Sequence, residues 1–226
     1  MFADQTLALF LKDLASRTPA PGGGAACGIS GALGAALGSM CANYTIGDEK
    51  FKTVEPKVKE LLEKFELERV ALLHLADKDA QAYGSWQAAR KLPQSTPEEK
   101  ATRKQAIAKA QEDSTRIPEM ILEQAEAVLG ILAQLTPLCN PQLVADAAVS
   151  AYLLDTAARG AGLQVLGNLI PRNAPPPDPT QPPNEDERTQ RTRERILHCG
   201  ALRVAIENAV YTRMNLRPLY PENSAE

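Results

Sequence analysis

"TPAPGGGAACGISGALGAALGSMCANY", residues 18–44, contains no charged residue, opens on two prolines and three consecutive glycines, and continues almost entirely in small side chains. Prolines and glycines cannot continue a helix, so any helix before this stretch must end there. The run that follows, about Ala25 to Thr45, has no β-branched alternation and reads as a second helix whose small residues let other helices approach closely. The segment admits three chemical readings. As a membrane span it has the length, but Ser30, Ser39, Asn43 and Thr45 dilute it, and it lacks an aromatic belt and basic flanks. As a dinucleotide fingerprint it would have to follow a β-strand, and it follows an amphipathic helix instead. The third reading is a loop whose bare amides meet a ligand at a helix start; a plain sharp turn is the alternative that spacing alone leaves open.

The rest of the chain extends the helical pattern. An earlier helix places Leu7, Phe10, Leu11 and Leu14 on one side, with Asp4 as its expected cap. A long helix is expected from about Val54 to Lys91, with Val54, Val58, Leu61, Phe65, Leu72, Ala76 and Tyr83 in one stripe. "STPEEK" is a helix start, with Thr96 as cap, Pro97 at the first position and Glu99 closing a capping box. The helix it opens carries Pro118, where a kink is expected. Asn140 and Pro141 open another helix, expected to stop near Gly160 or Gly162. The proline-rich run near 171–185 reads as a solvated loop, followed by a last helix packed through Ile196, Leu197, Val204 and Val210. No segment has strand character. The expected fold is all-α: one domain over residues 1–226, an elongated bundle of about five to seven helices. The long helix, on the order of 55 Å, calls for a partner on its flank, so a dimer is expected.

Composition narrows the function. Of 226 residues, 44% are hydrophobic and only 4% aromatic, and a net charge of -3 is scattered along the chain. That leaves no electrostatic footprint for nucleic acid or an anionic membrane. Cys27, Cys41, Cys139 and Cys199 form no CxxC pair, and His74 and His198 lie far apart, so no metal site is expected. Free thiols and the lack of a signal peptide point to the cytoplasm. One carboxylate stands out. On a helical wheel Asp79 falls on the apolar stripe beside Leu72, Ala76 and Tyr83, whereas Asp77 falls on the flank, where solvation is expected. A carboxylate on a buried face is either paired to a neighbouring helix or raised in pKa, and in the second case it can serve as an acid or base near neutral pH.

Three blocks, in order, then carry a resemblance. "ASRTPAPGGGAACGISGALGAALGSM", "LADKDAQAYGSWQAARKLPQSTPEEKATRKQAI" and "NPQLVADAAVSAYLLDTAARGAGLQVLGNL" resemble the formimidoyltetrahydrofolate cyclodeaminase / methenyltetrahydrofolate cyclohydrolase family over roughly Thr6 to Leu169. The chain differs from the family's usual pattern at Ala25, at Asp48 and Glu49, and at Gln164. The resemblance implies a dimeric helical bundle that takes reduced folate as substrate, needs no prosthetic group, and acts on the N5–N10 one-carbon bridge of tetrahydrofolate by cyclodeamination or hydrolysis. It makes Asp79 the catalytic acid/base. Pro21, Gly22, Gly23 and Gly24 would lie against the pterin, with Lys50, Asn140, Asp146 and Asn168 as further ligand contacts; for Asp146 a structural role is the alternative. A folate- or pterin-binding helical dimer without turnover is the rival function.

Overall fold

The computed structural model describes residues 1–170 and 186–219, and these contain helices and no strands. Six helices follow in order: α1 (Leu7–Leu14), α2 (Gly23–Asn43), α3 (Glu55–Arg90), α4 (Pro97–Leu135), α5 (Val144–Leu169) and α6 (Glu187–Arg213), with short 3-10 turns at Phe2–Asp4, Glu49–Phe51 and Pro141–Leu143. The proline-rich run lies outside the described residues.

The chain's small-residue segment is the centre of the bundle. α2 packs along both α3 and α5, with Gly24, Gly28, Gly31, Gly34 and Gly38 all buried between them. It is the one helix among the described residues with the length and apolar character of a membrane span, yet more than half of its apolar stretch is buried inside the bundle. The run of contacts shows α2 antiparallel to both neighbours: Gly28 meets Ala76 and Gly38 meets Phe65, while Ser30 Oγ donates to Leu153 O and Ser150 Oγ donates to Gly34 O. α4 closes the other side of the α3–α5 pair, and α6 lies over α4 and α5. The shared core includes Leu61, Phe65, Leu72, Ile121, Leu129, Leu132, Leu154 and Ile206.

Local signals explain most helix ends. The Thr96 capping box is present, with Glu99 N–H donating to Thr96 Oγ1 and Thr96 N–H donating to Glu99 Oε2. The cap of α1 is Thr6, which accepts from Leu9 N–H, and Asp4 belongs to the preceding 3-10 turn. Of the expected α1 stripe only Phe10 is buried; Leu7 and Leu11 face outward. Neither Gly160 nor Gly162 ends α5, which continues to Leu169. Gly162 serves close approach instead: a Cβ there would stand 2.6 Å from Ile196 Cγ1 on α6. Leu197 is exposed, and polar pairs supplement the apolar contacts of α6, with Arg188 bridging Glu112 and Glu119 and Arg195 meeting Glu126 on α4. α4 continues as helix through Pro118. At 1.5 Å per residue, α3 and α4 are each on the order of 55 Å long. Their joined ends therefore project past the start of α2 and build one wall of a cavity.

Candidate functional site

At the start of α2 the chain leaves a cavity of about 610 Å³, of a size suited to a small organic ligand. Four segments enclose it. Pro19, Ala20, Gly22, Gly23 and Gly24 come from the turn that opens α2; Asp79, Ala80, Tyr83 and Trp86 come from α3; Gln111, Ser114 and Pro118 come from α4; Gln164, Gly167 and Asn168 come from the end of α5.

Asp79 is fixed by the glycine run. The first N–H groups of a helix have no partner inside it. Ala25 N–H, the third of α2, donates to Asp79 Oδ2 at 2.9 Å across 54 residues of sequence. This approach requires Gly24, because a Cβ at that position would collide with the Asp79 carboxylate. The contact uses the backbone of residue 25, so alanine provides it as well as any other side chain would. Burial pushes the Asp79 carboxyl up from its ordinary value of 3.8, and the Ala25 hydrogen bond opposes that only in part. The protonated acid and the carboxylate are thereby brought closer in free energy, as proton transfer near neutral pH requires.

The opposite wall is rich in amides. Gln164, one of the departures from the family pattern, lies beside Gly23, where a Cβ would stand 2.9 Å from its Nε2. Asn168 Nδ2 donates to Ser114 O at 2.9 Å. Tyr83 and Trp86 form an aromatic edge, with ring centroids 5.9 Å apart, and the Arg90 guanidinium stands 4.6 Å from the Trp86 ring.

Of the residues expected at the site, Asp79, Gly22, Gly23, Gly24 and Asn168 come together around this cavity. Pro21, within the turn, is buried and does not line the cavity; a cis peptide bond joins it to Ala20. Lys50, Asn140 and Asp146 are not brought to it. Lys50 follows the far end of α2, on the order of 30 Å along that helix from the glycines. Asn140 instead caps the 3-10 turn before α5, accepting from Gln142 N–H and donating to Tyr44 O. Asp146 sits in the first turn of α5, whose last turns line the cavity. Asp48 and Glu49 share the far end, where Asp48 accepts from Lys50 N–H. Asp77 corrects the wheel reading. It is 7% exposed, its Oδ1 accepts from Phe2 N–H at 2.6 Å, and its Oδ2 has no hydrogen-bond partner among the described residues. The amino-terminal turn covers the flank that the wheel left to solvent.

Tyr83, Trp86, Gln111, Ser114 and Pro118 line the cavity as well and are not among the site residues expected from the sequence. Tyr83 and Pro118 carried signals, as a stripe residue and as a proline inside a helix. Gln111 and Ser114 carried none, because only the α3–α4 pairing brings them to the cavity.

Comparison with known proteins agrees with this architecture. A family model described as formiminotransferase-cyclodeaminase matches residues 6–171. A methenyltetrahydrofolate cyclohydrolase from Methylorubrum extorquens is 37% identical over 168 residues, covering 74% of this chain and 81% of the relative. A formimidoyltransferase-cyclodeaminase from Rattus norvegicus is 32% identical over 166 residues, covering 74% of this chain but only 31% of that longer protein. A solved structure described as formiminotetrahydrofolate cyclodeaminase from Thermotoga maritima shares the fold, with a TM-score of 0.73 over 95% of this chain and 98% of its own, at 24% identity. The three blocks read from the sequence fall within the matched span, and the chain belongs to the formiminotransferase-cyclodeaminase family.

Proposed function

We propose that this protein is a folate-dependent one-carbon enzyme acting on the N5–N10 bridge of tetrahydrofolate, with Asp79 as its acid/base. The observation that carries the reading is the Asp79 carboxyl itself: held by Ala25 N–H, raised in pKa by burial, and open to a cavity of about 610 Å³. In hydrolysis of the methenyl bridge, Asp79 takes a proton from the attacking water and returns it to N5 as the C–N5 bond breaks, while the hydroxyl proton on the tetrahedral carbon is released to solvent as the formyl C=O forms. This leaves the 10-formyl compound. In cyclodeamination it takes the proton from N10 as N10 attacks the formimino carbon, then delivers it to the departing ammonia. Both routes pass through a tetrahedral carbon, and one carboxyl near the bridge serves both steps. The folate derivative is the substrate, and the proposed chemistry calls for no prosthetic group.

Methenyl hydrolysis is the first reaction to assay. The relative named for it is the more similar of the two and matches over most of its own length. The test supplies each folate in turn and follows methenyltetrahydrofolate absorbance. Conversion of either supports the proposal. Tight binding of both without conversion would leave a folate-binding protein instead.

We further propose a cytoplasmic homodimer built from one folding unit per chain. Four free cysteines accord with a reducing compartment. On the outward side of α2, Ile29, Leu33, Leu37, Met40 and Tyr44 follow at helical spacing; Leu33 and Tyr44 are exposed and the others half-buried. Such a spine on a central helix suits a second copy of the same face.

A further inference from the structure

A proline inside a helix removes one backbone donor, leaving the carbonyl four residues earlier without its helical partner. For Pro118 in α4 that carbonyl belongs to Ser114. Its place is taken from another helix: Asn168 Nδ2, in the last turn of α5, donates to Ser114 O at 2.9 Å. Ser114, Pro118 and Asn168 all line the cavity. The proline thus gives the Asn168 amide a fixed orientation. One Nδ2–H is thereby committed to α4, and the amide oxygen of this cavity-lining residue accepts no hydrogen bond among the described residues. A side chain locked in this way presents an acceptor at little entropic cost on binding.

We propose that Pro118 is a positioning residue and Asn168 a specificity-determining one, its oxygen accepting a hydrogen bond from the N–H edge of the pterin's pyrimidine ring. The assignment rests on the folate reading above. The pyrimidine edge carries N–H donors and requires acceptors. With Asp79 engaged at the one-carbon bridge, the amide-rich wall of Gln111, Gln164 and Asn168 supplies them, and Asn168 is the member whose amide is oriented by a hydrogen bond from one of its two N–H donors to Ser114 O. Pro118→Ala gives residue 118 an N–H again, so α4 can satisfy Ser114 itself and release Asn168.

The test is a double-mutant cycle of Pro118→Ala and Asn168→Ala. It reads the Kd for 5,10-methenyltetrahydrofolate and for the fragment 6-methyltetrahydropterin, together with kcat, KM and Tm. Asn168→Ala is expected to weaken binding of both probes by about tenfold, the scale of one hydrogen bond, with kcat changed by less than about threefold. Pro118→Ala is expected to weaken binding several-fold while Tm holds or rises, and to add nothing in the Asn168→Ala background. Additive losses would show that Pro118 acts through its own ring and overturn the positioning role. Unchanged binding in Asn168→Ala, or a loss confined to the full folate, would overturn the pterin assignment. A parent protein that neither binds nor converts the folate would overturn the folate reading, and this assignment with it.

Discussion

Asp79 is held by one backbone amide in a place that disfavours its charge, and that gives it a measurable signature in stability. Its folded pKa lies above the unfolded value of 3.8. The folded state therefore binds this proton more tightly, and stability falls as pH rises from 3.8 through the folded pKa. Asp79→Asn removes that dependence. Its Tm relative to the parent should improve steadily from acid towards neutral pH; a constant difference across that range would show that burial does not strain the carboxylate. Asp77, two residues away, belongs to folding instead. Asp77→Ala deprives Phe2 N–H of its acceptor and should lower stability by about 1–3 kcal/mol in denaturant titration. No loss would mean that the desolvation of its unpaired Oδ2 already cancels the bond.

At the scale of elements, the helices follow from local chemistry that the chain states openly. The capping box at Thr96 and Glu99, the glycines before α2 and the α3 stripe from Val58 to Ala76 are each readable from spacing and each is found, whereas Tyr83, expected to close that stripe, is exposed at the cavity. What spacing could not show is which chain covers which flank. Asp77 reads as solvated on a wheel because the residue covering it is Phe2, 75 positions earlier. Gly160 and Gly162 read as a stop because α6, which needs the space at Gly162, is remote in sequence. Half of the cavity is legible for the same reason. Gly24 and Asp79 announce themselves by an unusual backbone and a misplaced charge, whereas Gln111 and Ser114 are ordinary surface residues until α4 folds against α3. Lys50, Asn140 and Asp146 show the limit of carrying a family's contacts over by position. Along α2 and α5 they stand at the other end of the bundle.

The whole molecule is a helical bundle whose central helix borders a cavity at its start and carries an apolar spine on its outer side. Light scattering at micromolar concentration should give a dimer, and Leu33→Glu, which places a charge in the middle of that spine, should give a folded monomer. A monomeric parent would contradict the assembly. Proton transfer by Asp79 is decided by comparing Asp79→Asn with the parent in turnover of 5,10-methenyltetrahydrofolate or the formimidoyl compound, alongside a binding titration. The expected result is a fall in turnover of about 10²–10⁴-fold with much less change in folate affinity. Near-parental turnover in Asp79→Asn, with the folate still bound, would contradict it.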